Sequence, residues 1–380
     1  MKRLVARIGF LALVLALAGC GSDGIGGFAG SSKEPDALII AQWNVQTLFD
    51  DHETGREYRD FLEAAGWTAE KYQSRIIALS QAVLQMAGTA PALIGFTEVE
   101  SAAALEGLAK GELSKHGYRW TAFASIPGAP LGLGFLSRFP ISDVRAHSIT
   151  VEAVTAPRPV LEVRIEPGGK PLVFLLCHWK SKLGGDAATA PQRRASARVV
   201  QRRLGELAES RTPVIVMGDL NETHDEFHRH LGQVFCALLP DDPDAALLAA
   251  ELSGSESRRR NPEESAFPSG KPPEFLVLSG EKPPRAQAFP EGVHALYSPW
   301  GNEKTGGSYY FRDRWESIDH FLLSEGLFDG AGWDFADSSV LNQAPFTAPD
   351  GSPNSYNPRT GRGLSDHLPL LLYLRDLGDD

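Results

Sequence analysis

Short apolar runs bounded by turn residues recur along almost the whole chain, the pattern of strands buried on both faces. They are Ala37 to Trp43, Ala92 to Phe96, Trp120 to Ala124, Leu133 to Ser137, Val160 to Ile165, Pro171 to Cys177, Val214 to Met217, Ile318 to Leu323 and Leu368 to Leu374. Tyr72, Ile76, Leu79 and Val83 recur at steps of four, three and four, which puts them on one face of a helix. A second helix is expected from Gln192 to Leu207, with Val200, Leu204 and Leu207 inward. Most of its arginines (Arg193, Arg194, Arg198, Arg202, Arg203) are expected on a solvated face. Elements mixed in this order, with several successive strands after residue 117, predict two packed sheets with helices outside. The stretch from Pro240 to about Pro290, rich in Pro, Ser and charge and including ESRRRNPEES at 256–265, is expected to form long loops.

Ahead of this pattern, MKRLVARIGFLALVLALAGC carries Lys2, Arg3 and Arg7 before an apolar stretch from Ile8 to Ala18. That stretch is too short for a membrane span and reads as a secretory signal. Leu17-Ala18-Gly19-Cys20 resembles the bacterial lipobox, which implies cleavage before Cys20 and a lipid anchor on it. Gly21 follows where an aspartate would suggest retention at an inner membrane, so an envelope location at the outer membrane is expected. Residues 21–36, rich in Gly and Ser, read as a flexible tether, and 37–380 as one large domain.

The formal charge is −11, and loss of the three signal cations takes it to −14. That argues against sequence-independent wrapping of DNA, though a divalent metal and a few arginines can reverse the local field for a phosphate substrate. Of the cysteines beyond Cys20, Cys177 lies in the apolar run PLVFLLC and is expected to be a small buried residue rather than half of a bridge to Cys236.

Each run ends in chemistry. The strand ends carry Asn44 and Gln46, Glu98, His178 with Lys180 and Lys182, Asp219 and Asn221, Asp319, and Asp366 with His367. A lone Asp after a strand is usually a turn residue. Residues this far apart in sequence act together only if the strand ends share one rim.

The ordered set WN (43–44), TEVE (97–100), SRFPI (137–141), HWKSK (178–182), GDLN (218–221), IDHFLLS (318–324) and SDHLP (365–369) resembles the endonuclease/exonuclease/phosphatase superfamily. Its members include pancreatic-type deoxyribonuclease, abasic-site endonucleases, inositol-phosphate phosphatases and neutral sphingomyelinases. The resemblance covers about residues 38–375 and implies a four-layered α/β sandwich of the DNase I-like kind, with two mixed sheets flanked by helices, and a magnesium-dependent phosphoesterase.

By that resemblance Glu98 is the main metal carboxylate, with Asn44 beside it and Asp366 as a further metal or outer carboxylate; such oxygen donors suit Mg²⁺ or Mn²⁺. Asp219 aligns or deprotonates the attacking water, and Asn221 donates to a phosphate oxygen, the two pointing the same way from an extended segment. His367, oriented by Asp319, and His178 contact the phosphate. Arg158 and Lys180 are candidates for the phosphate backbone or leaving group.

Gln46 stands where nucleases often have Asp or Glu, which removes a charge on the metal side. Met217 before Gly218 and His320 after Asp319 miss the signatures of the inositol-phosphate phosphatases, and TEVE, HWKSK and SYYFRDRWESIDHFLLS look closer to the secreted bacterial nuclease branch. A nuclease acting on DNA or RNA is therefore expected. A sphingomyelinase-like or other small phosphoesterase, and a surface binding lipoprotein with a decayed site, stay open as alternatives.

Overall fold

The structure is a computed structural model; it describes residues 36–151, 154–156, 158–230, 236–252, 273–289, 292–303 and 306–378. The segments expected to be a secretory signal with Cys20 and a tether, apart from Asp36, and the ESRRRNPEES stretch lie outside these residues. The strands in chain order are β1 (Ala37–Leu48), β2 (Leu93–Val99), β3 (Trp120–Ala124), β4 (Gly132–Ser137), β5 (Ser142–His147), β6 (Thr150–Val151), β7 (Val154–Thr155), β8 (Val160–Ile165) and β9 (Leu172–His178). Then come β10 (Val214–Asp219), β11 (Leu238–Pro240), β12 (Leu276–Ser279), β13 (Ala295–Tyr297), β14 (Tyr309–Phe311), β15 (Arg314–Glu316), β16 (Asp319–Leu323), β17 (Trp333–Val340) and β18 (Leu370–Asp376).

One six-stranded sheet has the order β17-β18-β1-β2-β4-β3 and one eight-stranded sheet the order β11-β12-β13-β16-β10-β9-β8-β5. Both are mixed: β1 runs parallel to β2 and antiparallel to β18, and β10 parallel to β9 and antiparallel to β16. The helices α1 (Ala69–Leu84), capped by the Thr68 side chain, and α2 (Ala102–Lys110), capped by Ser101, cover the first sheet. The long helix after β9, at Asp186–Ala208, covers the second. This is the four-layered sandwich that the resemblance implies.

Alternation along β9, β10 and β16 builds the two inner layers. Leu172, Phe174, Leu176, Ile215, Met217, Phe321 and Leu323 enter the core between the sheets. Val173, Leu175, Cys177, Val214, Val216 and Leu322 meet Val200 and Leu204 of the long helix. Gly95 on β2 leaves room for the side chains of the facing sheet: a Cβ there would lie 2.8 Å from Met217 Cε. Cys177 and Cys236 are both buried and not joined by a disulfide.

Several sequence expectations need correction. The long helix starts at Asp186, six residues early, and runs through Pro191. Arg193 is buried and ion-paired with Glu222 at 2.6 Å, Arg203 pairs with Glu162 at 2.7 Å, and Arg194 and Arg198 are half-buried beside Glu274; of the five only Arg202 is exposed. The 240–290 stretch is not only loop. It contains a helix at Pro243–Leu252 and β12, because Ala245, Ala249, Phe275 and Val277 bury a satellite core with Phe227 and Leu239. Among the described residues no helix is long and apolar enough to cross a membrane.

Candidate active site

The same alternation that buries Leu176, Met217 and Phe321 carries His178, Asp219 and Asp319 onto the face between the sheets, where β9, β10 and β16 meet in register. Asp219 is paired with His178 on one side and with Asp319 on the other. Gly218 makes the approach possible: at φ +118, a Cβ would lie 2.1 Å from the Cys177 carbonyl oxygen. Across the sandwich, Asn44 lies beside Thr97 and shares the inward face of Gln42 and Gly95.

Glu98 breaks the rule. Strict alternation from Gly95 would turn it outward to the helices, but both pairings of β2 shift register between Thr97 and Val99, and Glu98 adopts φ 64. This bulge re-aims the carboxylate onto the inner rim, a device common beside active sites. The facing bulge in β1 puts Gln46 at φ 49 and Thr47 at φ 58, and the Thr47 N–H donates to Glu98 Oε2 at 2.9 Å.

The rim is closely connected. Asn44 Nδ2 donates to Asp219 Oδ2 at 3.0 Å and to Glu98 Oε1 at 3.3 Å. His178 Nε2 lies 3.6 Å from Asp219 Oδ2 and 3.7 Å from Glu98 Oε1. His367 Nδ1 bonds Asp319 Oδ2 at 2.7 Å, which points its Nε2 to within 4.0 Å of both Asp219 Oδ2 and Asp366 Oδ1. The structure thus brings together Asn44, Glu98, His178, Asp219, Asp319, Asp366 and His367. Asn221 and Arg158 sit next to them, both donating to the Trp179 carbonyl, at 3.1 Å and 3.2 Å. Lys180 is at the edge, where its ammonium donates to Ser181 Oγ at 3.4 Å.

One geometric expectation fails. Asn221 is not in an extended segment with Asp219: β10 ends at Asp219, and Asn221 turns to φ 53 with its N–H bonded to Asp219 Oδ1 at 2.9 Å. The Leu220 N–H still bonds the Ile318 carbonyl, so the chain leaves the strand direction only at Asn221. The spacing of two reflects an aspartate capping its own turn, rather than a shared strand face.

Electrostatics divides the two histidines. Burial, with Arg158 and His367 nearby, holds His178 well below the usual imidazole range, so it is neutral. Burial also disfavours the charged form of His367, but the charge and hydrogen bond of Asp319, then Asp366 and Asp219, outweigh it and raise it to about 10. Asp219 is pushed up to about 7 by burial and then by the charge of Asp319. Burial and the charge of Glu98 also raise Asp366.

Sequence reasoning missed the supports. Ser308 Oγ donates to Asp319 Oδ2 at 2.7 Å, and Ser365 Oγ donates to the Asn44 carbonyl at 2.6 Å while accepting the His367 N–H. Tyr309 stacks on His367 with ring centroids 4.5 Å apart. Arg75, buried on α1, donates to the carbonyls of Val45 and Gln46 and lies 3.5 Å from the centre of the Tyr356 ring, buttressing the bulge. Its spacing from Leu79 puts it on the apolar face of the helix, the one signal that could have singled it out.

Gln46 does not face the rim. Its Oε1 accepts from the Tyr356 N–H at 2.7 Å and Ser355 Oγ at 3.1 Å, and its Nε2 donates to the Tyr356 carbonyl at 3.2 Å. The position pins a loop, and the amide makes both kinds of bond, which an ionised carboxylate cannot. Gln46→Glu loses the donor and sets a carboxylate against a carbonyl, so it should cost roughly 1–2 kcal/mol, read as a lower Tm in EDTA. An unchanged Tm would show that the amide does not hold the loop.

The donor set fits a hard divalent cation. Carboxylates of Glu98, Asp219, Asp319 and Asp366 act on one another across the rim, and the ion pairs of Glu98 and Asp219 among the described residues are with histidines. Asp219, Asp319 and His367 place ligand atoms within 4.8 Å of one another. The one nearby thiol, Cys177, points to the opposite face of β9. Oxygen donors of this kind, crowded with like charge, suit a cation that keeps part of its water shell.

The D. rerio TDP2 crystal structure complexed with a single-strand DNA product is 15% identical, with a TM-score of 0.50 over 90% of this chain and 100% of that one. An endonuclease/exonuclease/phosphatase from Beutenbergia cavernae is 18% identical (TM-score 0.47) over 90% of this chain and 72% of that chain. A Bacteroides thetaiotaomicron endonuclease/exonuclease/phosphatase family protein is 14% identical (TM-score 0.48), with 90% and 99% covered. No curated protein matches the sequence significantly. The model of the endonuclease/exonuclease/phosphatase family matches residues 39–245. That is more than half of the chain and takes in four of the strand ends that meet at the rim, those bearing Asn44, Glu98, His178 and Asp219, and the chain belongs to this family.

Proposed function

We propose that this phosphoesterase is a metal-dependent nuclease, hydrolysing DNA or RNA phosphodiesters with an activated water, and that it is tethered to the bacterial outer membrane through a lipid on Cys20. The observation that carries the chemistry is Asp219, a buried carboxylate raised to about 7, facing the Asp319–His367 pair across 4.0 Å. A base with a value near neutrality and an acid held protonated to about 10 are matched to opposite ends of one proton-transfer path.

In this reading Asp219 aligns a water and takes its proton as the oxygen attacks phosphorus in line with the leaving alkoxide. His367, fixed by Asp319, presents Nε2–H to the phosphate and neutralises growing charge. Neutral His178 and the Asn221 amide donate to non-bridging oxygens, and Arg158 attracts the flanking phosphate. A divalent cation, Mg²⁺ or Mn²⁺, held by Glu98 with Asn44 and Asp366 beside it, supplies Lewis-acid charge at the phosphate when bound.

Nucleic acid is favoured as substrate by the TEVE, HWKSK and SYYFRDRWESIDHFLLS segments, which resemble secreted bacterial nucleases. The test is to incubate the full chain in detergent with plasmid DNA, RNA, sphingomyelin and an inositol phosphate, with Mg²⁺ or with EDTA. Cleavage of DNA or RNA that EDTA abolishes is expected. Lipid cleavage alone would overturn the nuclease reading, and turnover that persists in EDTA would overturn the metal.

A further inference from the structure

The hairpin of β14 and β15 projects directly from the catalytic rim. Its base is fixed to the site at two points: Ser308 Oγ on Asp319, and a backbone bridge between Tyr309 and His367 that includes the Leu368 N–H bond to the Ser308 carbonyl. Gly307 allows the crossing, since a Cβ there would lie 2.6 Å from the Glu316 carbonyl oxygen. Whatever binds the hairpin is therefore held in fixed relation to the reacting phosphate.

One face of this hairpin is an aromatic series. Tyr309 stacks on His367 at 4.5 Å and 28°, and Phe311, two residues on and on the same face, lies nearly parallel to Tyr309 at 6.0 Å and 13°. The Arg312 guanidinium covers Phe311 at 5.0 Å. On the other face Tyr310 packs on Trp315, its cross-strand partner, at 5.2 Å and 52°. Phe311 is 47% exposed, so the series ends in a ring that solvent reaches beside Arg312.

The tip is strained. Arg312 and Asp313 adopt φ 49 and 62, the mirror-image turn that Asn-Gly or Gly-Gly forms at little cost. An arginine held there keeps a cation beside the exposed ring, the combination that receives a base on the ring and its phosphate on the cation.

We propose that Phe311 and Arg312, with Tyr309 behind them, form a stacking platform that selects single-stranded nucleic acid, taking an unpaired base next to the scissile phosphate. This rests on the nuclease reading above and goes beyond it by naming the strandedness of the substrate. Duplex bases stack on one another and do not present a free face to Phe311.

The experiment compares the full chain in detergent with Phe311→Ala, Phe311→Trp and, as a remote exposed apolar control, Ile77→Ala. Each is assayed on a single-stranded oligonucleotide, the same sequence as duplex, and bis-p-nitrophenyl phosphate. Base–aromatic stacking is of a size that predicts about a tenfold fall in the ratio of single-strand to small-diester kcat/KM for Phe311→Ala. The fall should come through KM and be reversed by Phe311→Trp, and Ile77→Ala should leave the ratio unchanged. An unchanged ratio for Phe311→Ala, or an equal KM increase on duplex, would overturn the platform while leaving the nuclease intact. So would weaker binding of Phe311→Ala to phosphatidylcholine vesicles with no change on the oligonucleotide. Turnover of the small diester by the parent with no cleavage of either oligonucleotide would instead overturn the nuclease reading itself.

Discussion

Asp219→Asn is expected to abolish turnover while making the metal-free protein more stable. Loss of a general base costs roughly 10²–10⁴-fold in kcat, and the isosteric amide keeps the shape of the site and one of the two bonds that the carboxylate accepts, from Asn44 Nδ2 and from the Asn221 N–H. The stability gain follows from linkage. Burial and then Asp319 raise Asp219 from an ordinary 3.8 to about 7, so between these values the folded chain binds a proton that the unfolded chain has lost. Stability therefore falls as pH rises through that window, and an uncharged amide escapes the fall. In EDTA the variant should melt roughly 2–5 °C above the parent at pH 8 and close to it at pH 4. Thermal melts at both values, with kcat on a small diester in Mn²⁺, check the two halves. Retention of more than a tenth of the activity would sink the role of base, and a lower Tm at pH 8 would sink the electrostatic conflict.

His367→Ala should lower kcat by roughly 10³-fold, the scale of removing a preorganised donor that meets developing charge. Asp319→Asn is the more informative change. Asp319, by charge and hydrogen bond, is the foremost group raising His367 to about 10 against the effect of burial. An imidazole raised in this way stays protonated up to its folded value and is lost above it, so parental activity should persist to alkaline pH. With Asp319 neutralised, the alkaline limb of the pH–rate profile should move down toward the ordinary imidazole value near 6.5. Profiles for the parent and Asp319→Asn at one metal concentration read the shift directly. An unmoved limb would mean that another group titrates there.

The site was legible wherever plain alternation held. His178, Asp219 and Asp319 extend the inward-facing sets of β9, β10 and β16, and Asn44 extends that of β1, so apolar runs ending in polar residues were enough to mark them. Strands that rise by satellite packing were not legible. The region around β11, β12 and the Pro243–Leu252 helix has Pro-rich composition, and its short apolar pieces form a core only against Phe227 and Phe289. The burial of Arg193 is not legible either, because its partner Glu222 lies 29 residues away, across a turn whose path the sequence does not reveal.

By itself, the sequence determined two packed sheets with helices outside and the polar residue that closes each run, because period-two alternation and run ends are local properties, and the roles of those residues rested on the family resemblance. Tertiary structure alone decided how Glu98 reaches the rim, since two facing bulges with left-handed residues reverse its expected direction. It decided that Gln46 pins Tyr356 instead of facing the rim, and that Asn221 caps a turn instead of extending a strand. It also split His178 from His367, leaving one imidazole neutral and the other charged. The physical reason is common to all four. Direction, desolvation and charge partnership belong to the three-dimensional neighbours of a residue, and those lie anywhere from two residues away, at Asn221, to 310 away, at Gln46.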